Sequence, residues 1–144
     1  MYDRSEVVLK VSMSNKKVIR TDLAPAPVGP YNQAIATSGQ MLFVAGQIAL
    51  NPQTGEIVGG DDVAEQTKQV MGNIEAILKE AGANWENVVK TSVFMTDLAN
   101  FSTMNQIYAQ YFNEATAPAR ACVEVSRLPK DVLVEIECIA LVPE

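Results

Sequence analysis

Apolar positions along this chain recur with two periods, and the switch between them marks out the elements. Near the C-terminus, the runs Ala119–Val125 and Val132–Val142 flank a Leu128-Pro129-Lys130-Asp131 turn. Side chains alternate faces along a strand. Arg120, Cys122 and Glu124 therefore share one face of the first run, and Ala121, Val123 and Val125 share the other. In the second run Glu135 and Glu137 lie on the face of Leu133, Ile139 and Leu141, opposite Val132, Val134 and Ile136. Upstream, Gln33–Thr37 and Met41–Gln47 read as short strands about Ser38-Gly39-Gln40, a hairpin signal. Val88–Thr96, rich in Val, Thr and Phe, reads as another strand.

The helical period appears twice. Over Asp62–Ala81, the residues Val63, Thr67, Val70, Met71, Ile74, Ile77, Leu78 and Ala81 fall on one face. Asp62 with Glu65 three residues on resembles a capping box, and Gly82 suits the C-terminal cap. A second helix opens at Asn100 or Phe101 with the stripe Phe101, Met104, Ile107, Tyr108, Tyr111 and Phe112. That stripe reads as core rather than as a cofactor box, and Pro118 closes the region. The stiff APAPVGPY loop, with Pro25, Pro27 and Pro30, ends on Tyr31, and Asn51–Gly55 is a further turn.

The predicted order is β-β-β-α-β-α-β-β, an α+β domain with two helices on one face of a mixed sheet of about six strands. The other face must meet solvent or another subunit, and its apolar content predicts oligomerisation. Residues 1–15 read as a flexible extension, and 16–144 as one domain.

Composition narrows the function. The chain has 144 residues, 48% of them hydrophobic, and a net charge of -6. An acidic surface disfavours nucleic acid, and the densest basic cluster is only Lys16, Lys17 and Arg20. No apolar run nears the roughly 20 residues of a membrane span, and Asp3, Glu6 and Lys10 break any signal-peptide pattern. Cys122 and Cys138 are enough for one disulfide, but without a signal peptide they read as reduced thiols in a cytoplasm. Histidine is absent, which removes His-based triads and most zinc and haem chemistry. No metal site is expected.

Arg120 is the sharpest candidate. A lone cation in an apolar strand needs a neutralising partner, because an unpaired buried charge is costly. Its partner is either a strand glutamate, Glu135 or Glu137, or an anionic ligand; a guanidinium fork suits a carboxylate in both cases. Strand register decides which, and sequence does not fix it.

At these residues the chain resembles the RidA/YjgF family of reactive-intermediate deaminases. The resemblance rests on GPYNQA at Gly29–Ala34, VAGQIALNPQTGEIV at Val44–Val58, KTSVFMTDLANFSTMN at Lys90–Asn105 and PARACVEVSRLPKDVLVEIECIA at Pro118–Ala140. It covers almost everything after Lys16. It implies a chorismate-mutase-like fold, assembled as a homotrimer with clefts between subunits. It also implies hydrolysis of enamines and imines such as 2-aminoacrylate and 2-aminocrotonate to 2-oxo acids and ammonia. This is the activity of a 2-iminobutanoate/2-iminopropanoate deaminase. By the same resemblance Arg120 grips the substrate carboxylate and Glu135 holds a water. Tyr31, Gly46, Asn105 and Cys122 line the substrate cleft, with Tyr31 from the neighbouring subunit. Ala45 stands where some members carry a serine, and the loop before Pro118 is shorter than in some.

No metal or organic cofactor is needed for water to add to an imine, and Cys122 is expected to line the cleft rather than react. Two other readings compete. One is a non-catalytic binding protein for 2-oxo acids using the same Arg120 pocket. The other is a translation-inhibiting ribonuclease, which the charge and the missing histidine disfavour.

Overall fold

A computed structural model describes residues 15–144; the expected N-terminal extension lies almost wholly outside the described residues. Six strands and two α-helices follow in the order β1 (Lys17–Ile19), β2 (Ala34–Ala36), β3 (Met41–Gln47), α1 (Val63–Glu80), β4 (Val88–Met95), α2 (Phe101–Ala109), β5 (Ala119–Glu124) and β6 (Val134–Leu141). The expected element order and the mixed α+β class both hold. The six strands do not join in the one sheet expected of them: they divide into a two-stranded ribbon, β1-β2, and a four-stranded mixed sheet ordered β3-β6-β4-β5.

The hairpin expected between Gln33–Thr37 and Met41–Gln47 does not form. β2 pairs with β1, and β3 pairs antiparallel with β6. The reason is burial. Val44 must lie under α1, and opposite it stands Cys138 of β6, also buried. Ala34–Ala36 is a partly exposed strand with little to offer that ladder.

β4 and β5 run parallel, and β4 and β6 antiparallel. Parallel strands need a crossover, and α2 supplies it between β4 and β5. α1 makes the longer crossover from β3 to β4, past β6, and packs on β3, β6 and α2. Both helices thus cover one face of the sheet. Between helices and sheet lies the core, including Val70, Met71, Ile74, Val93, Met95, Met104, Tyr108, Val134 and Ile136.

Local chemistry fixes the helix ends. The Asp62 side chain accepts the Ala64 and Glu65 N–H groups, at 3.0 and 3.3 Å, as an N-cap does. Glu65 does not close a reciprocal box; it pairs with Lys68 instead. At the other end Gly82 takes φ +75°, its N–H donates to Lys79 O, and the Ala83 N–H donates to Leu78 O. That is a Schellman ending, which glycine enters without a Cβ penalty. α2 stops at Ala109, well before Pro118, because Tyr111 and Phe112 turn away to pack edge-on against Trp85. Among the described residues no helix is long and apolar enough to cross a membrane.

Candidate functional site

The registers decide which side of the sheet each candidate occupies. Thr91 of β4 stands opposite Arg120 of β5 and Cys138 of β6. Thr91 is buried under α2, its hydroxyl 2.8 Å from the Tyr108 hydroxyl. Residues in direct cross-strand register share a face. Arg120 therefore lies on the helix-covered face, with Cys122, which stands opposite Val93. Glu135 stands opposite Phe94, three positions from Thr91, and so projects from the other face. Glu137, opposite Ser92, does the same.

This corrects one of the two readings of Arg120. It does not staple β5 to β6 through Glu135 or Glu137: β4 lies between those strands, and both carboxylates point to the far side. Its guanidinium instead meets aromatic faces. Its centre lies 4.8 Å from the Tyr108 ring centroid, 5.2 Å from that of Tyr31 and 5.5 Å from that of Phe101. Nη1 donates to Asn105 Oδ1 at 2.6 Å. Among the described residues no acceptor meets Nε or Nη2, and no carboxylate forms an ion pair with this arginine. Ring faces attract a cation but leave its net charge in place. The fork thus presents unfilled donors to a half-buried pocket, an arrangement suited to a small carboxylate.

Each wall has a local cause. Phe101, Asn105 and Tyr108 sit at i, i+4 and i+7 of α2, one face of a helix. Tyr31 does not come from a neighbouring subunit, as the resemblance implied: it reaches Arg120 of its own chain on the proline-rich loop, where its hydroxyl accepts the Val28 N–H at 3.3 Å. Gly29 closes the wall: a Cβ there would sit 3.4 Å from Arg120 Nη2 and 3.7 Å from Asn105 Nδ2, so any larger side chain would crowd the fork. Tyr108 is fully buried, and burial pushes its phenol up to about 12, against the opposing pull of Thr91 and Arg120. It stays a neutral ring with its hydroxyl tied to Thr91. Phe101 and Tyr108 read from sequence as core only; their spacing from Asn105 was the available signal.

Burial also pushes the Cys122 thiol up, and Arg120 only partly offsets this. Cys122 is therefore a thiol at neutral pH, fit to line the pocket and poorly suited to attack. Cys138 is pushed up to about 12 by burial and by the Glu137 charge. Both cysteines are free. With β4 between their strands and a two-residue offset in register they stand more than about 10 Å apart, too far for the disulfide their number allowed.

Gly46 and Glu135 form a separate group on the open face. β3 bulges between Val44 and Gln47, which brings the Gly46 backbone against the Glu135 side chain. A Cβ at Gly46 would sit 3.0 Å from Glu135 Cδ and Oε2, so a larger residue would displace the carboxylate. Among the described residues nothing donates a hydrogen bond to Glu135. The structure thus brings Arg120, Tyr31, Asn105 and Cys122 together, brings Gly46 and Glu135 together, and holds the two groups apart. Two further charged residues near the strand ends have structural partners. Glu124 accepts the Leu98 N–H at 3.0 Å, and Arg127 pairs with Asp131 at 2.7 Å on the surface.

A small mixed-sheet domain with an arginine pocket on one face and a carboxylate on the other has well-defined relatives. The family described as Endoribonuclease L-PSP matches residues 21–142. A RutC family protein of Synechocystis is 65% identical over 127 residues, covering 88% of this chain and 97% of the relative. A 2-iminobutanoate/2-iminopropanoate deaminase of Escherichia coli is 50% identical over 127 residues, covering 87% and 97%. Among solved structures, E. coli TdcF with bound serine superposes with a TM-score of 0.65 at 46% identity, covering 87% of this chain and 98% of that one. The chain belongs to the RidA/YjgF family, the same family that the L-PSP description denotes.

Proposed function

We propose that this protein is a deaminase of reactive enamines and imines derived from amino acids, working as a homotrimer whose sites lie between subunits. The observation that carries the reading is the Arg120 fork: ring faces and one amide hold it, and no carboxylate of the described residues neutralises it. A relative named as a 2-iminobutanoate/2-iminopropanoate deaminase and a related structure holding serine, a small carboxylate, support the same chemistry here.

The proposed assembly follows from the two faces. Arg120 and Glu135 cannot meet within one protomer, so one subunit supplies Arg120, Asn105, Tyr31 and Cys122, and a neighbour supplies Glu135 and Gly46. The open face has the composition for this packing: Phe43 is 70% exposed, and Met41 and Val123 are also exposed. A cavity of about 410 Å³ lined by Phe43, Ala45, Lys90, Ser92 and Ile139 marks the same face. A closed ring buries such a face in every copy.

In the reaction the substrate carboxylate docks on Arg120 in a bidentate contact. The enamine takes a proton from solvent at its terminal carbon and becomes the protonated imine. A water held by the neighbour's Glu135 adds to the imine carbon while its proton passes to the carboxylate. The resulting carbinolamine takes that proton back from Glu135 at nitrogen, ammonia leaves, and the hydroxyl gives up its proton to water as the C=O of a 2-oxo acid forms. Positioning and modest proton transfer suffice, because these intermediates already hydrolyse in water. The reaction calls on no thiolate and no cofactor.

The test is a coupled assay. A serine or threonine dehydratase generates the enamine, and decay of enamine and growth of 2-oxo acid are followed with and without this protein. A shortened enamine lifetime is expected. An unchanged lifetime with pyruvate binding at Arg120 would indicate a 2-oxo acid binding protein. Cleavage of RNA by a chain of net charge -6 without histidine is not expected, and incubation with labelled RNA checks it.

A further inference from the structure

We propose that Asn32 is a positioning residue for the Arg120 pocket: it fastens the Tyr31 loop to the chain entering β5 and so sets the Tyr31 ring against the guanidinium. This role rests on the deaminase reading above. Asn32 is 2% exposed, in a loop whose other residues are largely open to solvent. Its side chain uses all its bonding capacity. Oδ1 accepts Arg20 Nε at 3.1 Å and Arg20 Nη2 at 2.9 Å. Nδ2 donates to Glu114 O at 3.1 Å and Ala117 O at 2.8 Å. Its backbone N–H donates to Pro118 O at 3.1 Å. Arg20 itself reaches Ala115 O at 3.3 Å.

The neighbouring bonds do a different job. Tyr31 is held by Val28 and Gly29, both within its own loop. Gln33 binds the backbone of Thr21, Ala24 and Pro25, again in the same N-terminal segment. Those contacts stiffen the loop but do not locate it. Asn32 and its partner Arg20 connect it to residues 114–118, and Arg120 follows two residues after Pro118. The Tyr31 ring stands one residue from this clamp and the arginine two. Clearances are small: a Cβ at Gly29 would already lie 3.4 Å from Nη2. A loop that drifts by a fraction of an ångström would change the shape of the pocket.

Two substitutions dissect the clamp. Asn32→Ala removes all four side-chain bonds. Asn32→Asp keeps an acceptor for Arg20 but has no N–H for Glu114 and Ala117, and it preserves the volume should the alanine variant fold poorly. In both, KM for 2-aminoacrylate and Kd for pyruvate should rise roughly tenfold while kcat stays within about twofold. In protein labelled with 3-fluorotyrosine, the Tyr31 fluorine resonance, assigned by its loss in Tyr31→Ala, should shift and sharpen toward that of a mobile ring. In a Tyr31→Ala background, changing Asn32 should leave KM and Kd unmoved while still lowering Tm. A lower Tm with unchanged KM, Kd and fluorine signal would overturn the proposal, leaving Asn32 a fold residue only. An equal KM effect in both backgrounds would also overturn it. If the parent protein neither deaminates nor binds pyruvate, the deaminase reading fails, and the fluorine signal alone still decides whether Asn32 holds Tyr31.

Discussion

The two faces of the four-stranded sheet are built from alternate residues of the same strands, and they differ in completeness. On the covered face Thr91, Val93, Val134 and Ile136 are sealed by the helices, and each buried polar side-chain atom has a partner. On the open face Phe43 is 70% exposed, one residue from Val44 at 5%. The same contrast runs through the chemistry. The Arg120 pocket has its walls in one protomer; Glu135 has Gly46 beside it and nothing to act on. A strand's period of two therefore splits the proposed site, which the proposed ring of subunits would rejoin.

The sharpest break comes from removing the cation. Arg120→Ala should lower kcat/KM by about a hundred- to a thousandfold, the loss of a bidentate charged contact. Arg120→Lys should recover little, because a point charge does not reproduce the fork. The fold should survive, since no ion pair of Arg120 staples the strands. Mixing then tests the division of the site. Co-refolded Arg120→Ala and Glu135→Gln chains, each impaired alone, should recover full activity at about a quarter of their sites, above the residual level of either parent, if each site draws on two subunits of a ring. No recovery would place both residues in one subunit's site and break the comparison.

Glu135→Gln should act on the other parameter. It keeps the shape and loses the charge that takes the water's proton, so kcat should fall roughly ten- to a hundredfold with KM nearly constant. Steady-state kinetics on both variants thus assigns docking to one face and water activation to the other. A Glu135→Gln variant that loses substrate affinity and keeps kcat would reverse the assignment.

The elements were legible because periodicity is local. α1 runs Val63–Glu80 against the expected Asp62–Ala81, and β4 and β6 lie within their expected runs. Pairing was not legible. Strand order β3-β6-β4-β5 depends on which apolar ladders α1 and α2 cover together, a property of the assembled core. For that reason Arg120 and Glu135, plausible partners on paper, stand on opposite faces. Buried polar residues escaped for another reason. Gln66 sits in the apolar stripe of α1 because it donates to Gly60 O at 2.6 Å and accepts the Leu133 N–H at 2.9 Å. Asn32 is buried for the like purpose of satisfying backbone carbonyls. Both are polar side chains, so neither adds to the hydrophobic pattern that sequence offers to read.

The open face can be broken directly. Phe43→Asp places a carboxylate where a neighbour is proposed to pack, and exchanges about 1.5–3 kcal/mol of burial per subunit for a desolvation cost. Sedimentation should show monomer at micromolar concentration, with activity down about tenfold and partly restored at higher concentration. Far-UV circular dichroism should be unchanged, because Phe43 supports no core contact on the covered face. A Phe43→Asp trimer with full activity would mean that this face is not the one that assembles.

The smallest expected effect is at Cys122, and it separates lining from reacting. Cys122 lies two residues from Arg120 on the same face, so proximity alone suggests an activated thiol. Two influences compete: the guanidinium lowers the thiol pKa, while desolvation, the larger of the two, raises it. The net direction is upward, so the thiolate needed for attack is scarcer than in a free cysteine. Water addition to an imine requires no thiolate in any case. Cys122→Ala should therefore keep activity within about threefold, removing only a small packing contact. The pH dependence gives an independent check. Alkylation of Cys122 by iodoacetamide should rise at higher pH than that of a free thiol, while deamination should show no increase tracking that rise. Should Cys122→Ala prove inactive while Glu135→Gln retains turnover, covalent catalysis by the thiol replaces water activation, and the open face loses its part in the chemistry.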